Sequence, residues 1–136
     1  MNAAVVDFFR AVDARDWDAV RLLLAGEVTL DYVSLFGGAV ETVPAGEVIE
    51  RWRGLLPGFD ATQHFVGTLA ESGGVVRGNV RAYHVLDGAE WMVAGWYELT
   101  VTAGPARISG IVLTAVYETG SRELLGHAQE RAKALR

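Results

Sequence analysis

Residues 75–86 read Val75-Val76-Arg77-Gly78-Asn79-Val80-Arg81-Ala82-Tyr83-His84-Val85-Leu86, and their alternation decides the fold. Val76, Gly78, Val80 and Ala82 are small or apolar, whereas Arg77, Asn79 and Arg81 are polar. Side chains of a strand point to opposite faces in turn, so this is a strand with one face buried, and His84 lies on that face. A titratable ring facing an apolar enclosure marks a candidate site. The preceding stretch, Thr62-Gln63-His64-Phe65-Val66-Gly67, also reads as a strand and brings a second histidine to the same region. Its apolar residues Phe65 and Leu69 have the parity opposite to His64, so alternation alone leaves the direction of that ring open.

Working outward, the period of two holds from residue 61 to residue 119. Strands are predicted over 61–71, 75–86, 90–103 and 107–119, separated by Ser72-Gly73-Gly74, Asp87-Gly88 and Gly104-Pro105. Four long strands with short turns form an antiparallel meander. In 90–103 Trp91, Val93, Tyr97, Leu99 and Val101 share one face, with Glu98, Thr100 and Thr102 on the other. In 107–119 Ile108, Ile111, Val112, Leu113 and Val116 occupy both parities, which implies burial on both sides, under helices or against another subunit.

The first sixty residues change period. Residues 3–14 form a helix with Val5, Val6, Phe9 and Val12 on one face, and Asp13, four after Phe9, turns toward the same side. Asp16 is placed to cap a second helix over 17–25, ended by Gly26. Residues 28–34 alternate as a strand with Tyr32 facing in, and Phe36-Gly37-Gly38-Ala39 turns into a short strand ending near Val43. Pro44 opens a third helix whose stripe is Val48, Ile49, Trp52, Leu55 and Leu56, and Pro57-Gly58 stops it. A last helix over 121–135 places Leu124, Leu125, Ala128, Ala132 and Leu135 in register, and His127 falls on its surface.

Helices grouped before a long-stranded meander define an α+β class, with the helices on one side of a curved, mostly antiparallel sheet of about six strands. With 136 residues, about half of them hydrophobic, a single domain over 1–136 is expected. The net charge of −5, with Lys and Arg scattered singly, gives no footprint for nucleic acid. The absence of cysteine removes disulfides and thiolate metal sites, and no His and carboxylate set stands at metal-ligand spacing, so neither metal nor cofactor is expected. No stretch reaches the roughly 18 apolar residues of a membrane span, and the N-terminus lacks the pattern of a signal peptide. A soluble, cytoplasmic protein is expected. The pocket between sheet and helices is where His84, Tyr32 and Asp13 would converge.

Asp13, then Asp16-Trp17-Asp18, Asp31-Tyr32, the run from Thr62 to Gly67, and His84 occur in the order that marks scytalone dehydratase and its SnoaL-like relatives. The chain resembles that family, within the nuclear transport factor 2-like superfamily, from the first helix to about Gly110. The resemblance implies a cone-shaped α+β barrel with a deep apolar pocket, assembled as a homodimer or homotrimer. It also implies that Asp13 and His84 form a hydrogen-bonded dyad, that His64 is a second pocket imidazole, and that Tyr32 polarises a substrate carbonyl through a water. Val12, Trp17, Phe36, Trp52, Trp91, Val93 and Tyr97 are expected to contact substrate. Two features depart from the family. Val12 stands where a second water-holding tyrosine is expected, and residues 91–101 show no counterpart of the substrate-anchoring serine and asparagine. Related chemistry on a less polar substrate is the implication.

The same residues make chemical sense unaided. A neutral imidazole near its ordinary pKa of about 6.5 exchanges protons at cellular pH, and a carboxylate on its other nitrogen fixes the tautomer. Loss of water beside a carbonyl needs a base for the α-proton, a donor for the departing hydroxyl and a polariser for the enolate. His84 with Asp13, His64 and Tyr32 supply these, for a dehydratase, cyclase or isomerase of a small apolar or aromatic carbonyl compound. The alternatives are a pocket of the same fold that binds an apolar ligand without turnover, and an assembly module whose open sheet face pairs with another copy.

Overall fold

The computed structural model describes residues 1–135. Arg136, the last residue of the expected domain, lies outside them. The chain runs α1 (Asn2–Asp13), α2 (Trp17–Leu23), β1 (Leu24–Asp31), α3 (Val33–Phe36), β2 (Glu41–Pro44), α4 (Ala45–Arg53), a 3-10 turn (Leu56–Gly58), β3 (Ala61–Val66), β4 (Ala70–Ser72), β5 (Val75–Leu86), β6 (Ala89–Val101), β7 (Ile108–Thr119) and α5 (Glu123–Ala134). The strands lie in one curved, unclosed sheet in the order β2-β1-β7-β6-β5-β3, with β4 extending β5. Among the described residues only β1 with β7 is parallel, so the α+β class with a mostly antiparallel sheet is what forms.

β5 carries the alternation through its whole length: Val76, Gly78, Val80, Ala82, His84 and Leu86 are buried. Its register sets the concave face in rows. Thr62, His84 and Trp91 stand side by side, and His64, Ala82 and Val93 form the next row. The curvature has a local cause at Gly95, where the pairing of β6 with β7 shifts register between Ala94 and Gly95. A Cβ on Gly95 would come within 1.9 Å of the Thr114 carbonyl oxygen, so only glycine lets the strands approach there. An extra residue in one strand bends and twists the pair, which turns the sheet around the helices.

The helices fill the concave side. α1 buries Val5, Phe8, Phe9 and Val12, whereas Val6, which the sequence reading puts on the stripe, is exposed. The spacing three, one, three centres the stripe on Phe8 and Phe9 and leaves Val6 to one side. Asp16 caps α2 by accepting a hydrogen bond from the Ala19 backbone N–H. α2 ends two residues before the expected Ala25, because Leu24 is fully buried and already opens β1 beside Ile108. The strand expected over 28–34 likewise stops at Asp31, whose carboxylate caps the one-turn helix α3 at Val33 N–H. The strand expected over 61–71 is broken into β3 and β4 at Gly67. One apolar core runs from α1 through α4 to the inner rows of the sheet.

Candidate active site

Asp13 is the last residue of α1, and α1 packs against β3. Its carboxylate is gripped by that strand at three points. The His64 ring bonds through Nδ1 to Oδ1 at 2.8 Å, the His64 backbone N–H donates to Oδ2 at 2.7 Å, and the Thr62 hydroxyl donates to Oδ1 at 3.1 Å. Burial alone would push this carboxyl up, but the hydrogen bond and charge of His64, with the donors on β3, outweigh it and hold the group below its ordinary value of 3.8. An ionised carboxylate only accepts, so His64 Nδ1 carries the hydrogen and Nε2 is left to take or deliver a proton. The side chains of His64 and Asp13 are 10% and 18% exposed, so the pair is shielded without being sealed.

The dyad expected between Asp13 and His84 is corrected: the carboxylate meets His64. The reason is geometric. α1 ends against the edge strand β3, while His84 lies one strand further in and turns Nδ1 to the Trp91 carbonyl oxygen at 3.1 Å. A carbonyl cannot donate, so Nδ1 is protonated in the neutral ring and Nε2 holds the lone pair. Burial, followed by the charge of His64, pushes His84 down from 6.5 to about 4, against the opposing pull of the Trp91 carbonyl. His84 is therefore neutral across the physiological range.

Tyr32 lies just beyond β1 rather than within a strand over 28–34. It immediately precedes α3, and its ring still lines the inner cavity. Burial pushes its phenol up to about 12 despite the hydroxyl of Tyr97, with which it pairs, and Tyr97 is raised well above 10 by burial and by Tyr32. Both are neutral donors. Each neutral hydroxyl carries one hydrogen that it can donate to an acceptor in the cavity.

These groups belong to a closed circuit of six rings. Centroids are 6.3 Å apart from His84 to His64, 6.4 Å from His64 to Tyr97, 6.5 Å from Tyr97 to Tyr32, 6.5 Å from Tyr32 to Phe36, 6.4 Å from Phe36 to Trp91 and 4.6 Å from Trp91 back to His84. All six line one cavity of about 110 Å³ with largely apolar walls. That is of the order of an apolar cavity of ~150 Å³ that holds one aromatic ring.

Of the expected contact residues, Val12, Phe36, Trp52, Trp91, Val93 and Tyr97 line the cavity. Trp17 does not. It opens α2 and packs its half-buried ring on the core instead. Sequence reasoning missed Thr62 as a partner of Asp13, although it shares the inward parity of His64. It also missed Phe9, stacked on the His64 ring at 5.2 Å, and Ala82, the small residue beneath both imidazoles. Among the described residues, no group of three or more His, Asp or Glu is placed to hold a metal ion, and no helix is long and apolar enough to cross a membrane.

Helices on the concave side of an open sheet, closing over an aromatic pocket with two imidazoles, define the α+β cone fold. The SnoaL-like domain model matches residues 1–108, and the chain belongs to that family. A dehydratase of Pestalotiopsis microspora is 36% identical over an alignment of 72 residues that covers 48% of this chain. The match takes in 43% of that protein, so the chain spans less than half the length of the curated relative it matches. The Kfla4162 protein of Kribbella flavida has a similar structure, with a TM-score of 0.75 and 25% identity over 96% of this chain and 93% of that one. A protein of Novosphingobium aromaticivorans assigned as a scytalone dehydratase gives 0.69 and 17% over 89% and 85%. A Mycobacterium tuberculosis protein in complex with estradiol-17β-hemisuccinate gives 0.71 and 15% over 86% and 95%.

Proposed function

We propose that residues 1–136 act as a single SnoaL-like domain that catalyses cofactor-independent acid/base chemistry, the loss of water or ring closure of a small apolar or aromatic carbonyl compound. The observation that carries this reading is that His64, bonded to Asp13, stands in the wall of a largely apolar, ring-sized cavity. The dehydratase of Pestalotiopsis microspora, the scytalone dehydratase assignment of one structural neighbour and the estradiol ester held by another support a substrate of this class.

In the proposed reaction His64 Nε2 removes the proton α to the carbonyl, and Asp13 stabilises the imidazolium that results. The Tyr32 and Tyr97 hydroxyls donate toward the carbonyl oxygen as it gains charge, directly or through a water. His64, or the neutral His84 relaying a proton, then protonates the departing hydroxyl. The C–H and C–O electron pairs become the new double bond and the oxygen's lone pair, and water leaves. Roles shift from the sequence reading, in which His84 was the base, because the carboxylate that orients the ring and offsets the charge of an imidazolium stands at His64.

The test uses 3-hydroxy-1-tetralone, which loses water to give 1-naphthol. Turnover above the uncatalysed rate, abolished in His64→Ala, is the expected result. An unaltered rate in His64→Ala would sink this mechanism. Binding without turnover by the native protein would leave a ligand carrier. The exposed Phe65, Trp96, Val116 and Tyr117, together on the outer face of the sheet, support assembly as a homodimer or homotrimer, and a cytoplasmic setting belongs to the same proposal.

A further inference from the structure

A second, larger hollow adjoins the aromatic chamber. Tyr32, Phe36, Trp52, Leu55 and Leu125 line both, so they form a collar between an inner chamber of about 110 Å³ and an outer cleft of about 490 Å³. Beyond the collar the cleft runs past Leu30, Gly37 and Ala39 to Gln129 and to Glu41 with Arg51. The chamber suits one ring and little more, and the wall it shares with the cleft is apolar except for the Tyr32 hydroxyl and the Trp52 indole N–H. Charge is confined to the far rim. There Arg51 is engaged twice, by Glu41 at 2.8 Å and by Glu47 at 3.1 Å, so two carboxylates face one guanidinium.

We propose that the cleft is a second substrate subsite, which takes an uncharged chain attached to the ring-bearing carbonyl compound and disfavours a chain that ends in a carboxylate. This rests on the proposed function for what occupies the chamber. The collar supplies apolar contact for a chain beyond the ring, since a wall of Trp52, Leu55 and Leu125 desolvates methylenes. The rim then selects on charge. Its cluster of two carboxylates and one guanidinium is net negative and disfavours an anionic end, and both terminal nitrogens of its one cation are already engaged, Nη1 and Nη2 by Glu41 and Nη2 by Glu47.

The experiment is calorimetric titration of the native protein with acetophenone, butyrophenone, hexanophenone and the hexanophenone analogue ending in a carboxylate. Affinity is expected to rise about two- to fourfold for each added methylene, the range from half to full burial of a CH₂. Leu125→Ala should flatten that rise, Glu41→Gln should narrow the gap between the neutral and carboxylate-ended chains, and the carboxylate-ended chain should bind the native protein at least about threefold more weakly than hexanophenone. The native series carries the test alone if a variant fails to fold. Acetophenone binding with no gain on lengthening, or equal affinity for the carboxylate-ended chain, overturns the subsite and leaves the proposed function standing. Failure of every ketone to bind, with no turnover of 3-hydroxy-1-tetralone, overturns both.

Discussion

His64 Nδ1 lies 2.8 Å from Oδ1 of Asp13, joining the end of a helix to an edge strand 51 residues further along the chain. The bond does two things. It fixes which nitrogen of His64 faces the cavity, and it anchors α1 to β3, because the same carboxylate also takes the Thr62 hydroxyl and the His64 backbone N–H.

Asp13→Asn keeps the shape and removes the charge. The amide can present its NH₂ to His64 and force the other tautomer, so the proposed base loses both orientation and the partner of its imidazolium. Turnover of 3-hydroxy-1-tetralone is expected to fall at least about 10²-fold, toward the ~10⁴ that such a change costs in a triad. Asp13→Ala should also lower stability by about 2–3 kcal/mol in a urea titration, since it strands three partly buried donors. Full activity in Asp13→Asn would remove the carboxylate from the mechanism.

His84 gives stability a defined dependence on pH. Its folded pKa of about 4 lies below the unfolded 6.5, so between those values the unfolded chain binds more protons than the folded one. Its contribution is complete above pH 6.5 and is lost as the pH falls through about 4, amounting to about 3 kcal/mol over that window. Asp13, also lowered, adds a further loss only below its ordinary 3.8. Urea midpoints measured from pH 7.5 to 4 should decline in the native protein and much less in His84→Gln. Equal slopes would show that His84 does not titrate as its burial requires.

How much of this was legible in the sequence depends on the element. β5 was readable residue by residue, because a half-buried strand writes its orientation into alternation, and His84 was placed correctly on the inner face. β3 was not, because Phe65, 64% exposed, is an apolar residue on the outer face and cancels the pattern that would have pointed His64 inward. The partner of Asp13 was equally hidden. Helix period says which side a carboxylate faces, but the choice between two neighbouring strands rests on how α1 docks, a property of tertiary packing that no local pattern encodes. Trp17 misled for the related reason that a large aromatic at a helix start packs as well on a core as on a cavity.

The tyrosine pair sets the alkaline behaviour. Burial holds Tyr32 at about 12 and Tyr97 well above 10, so neither phenol ionises in the range in which the protein would be assayed. The rate should therefore stay level from about pH 8 to pH 10 in the native protein. Tyr32→Phe removes one of the two hydroxyls and leaves the other without its partner, which is expected to lower kcat about 10- to 10²-fold while KM changes little, somewhat below the ~10²–10³ of a fully formed oxyanion donor. A loss confined to KM would make Tyr32 a binding contact only.

Ala82 tests whether the chamber itself is the site. It stands opposite His64 on β3 and Val93 on β6, so its methyl is the floor beneath the two imidazoles, whose centroids are 6.3 Å apart. Ala82→Leu adds three carbons to a residue that lines the cavity and replaces no group that bonds Asp13, His64 or His84. Overpacking of this kind costs about 1–3 kcal/mol in a filled core and should cost less here. Acetophenone affinity, by contrast, should drop at least about tenfold, because the volume added is a large share of a cavity of about 110 Å³. Calorimetric titration together with a urea midpoint separates the two effects: a folded variant that still binds acetophenone as the native protein does would place the ligand outside the aromatic circuit.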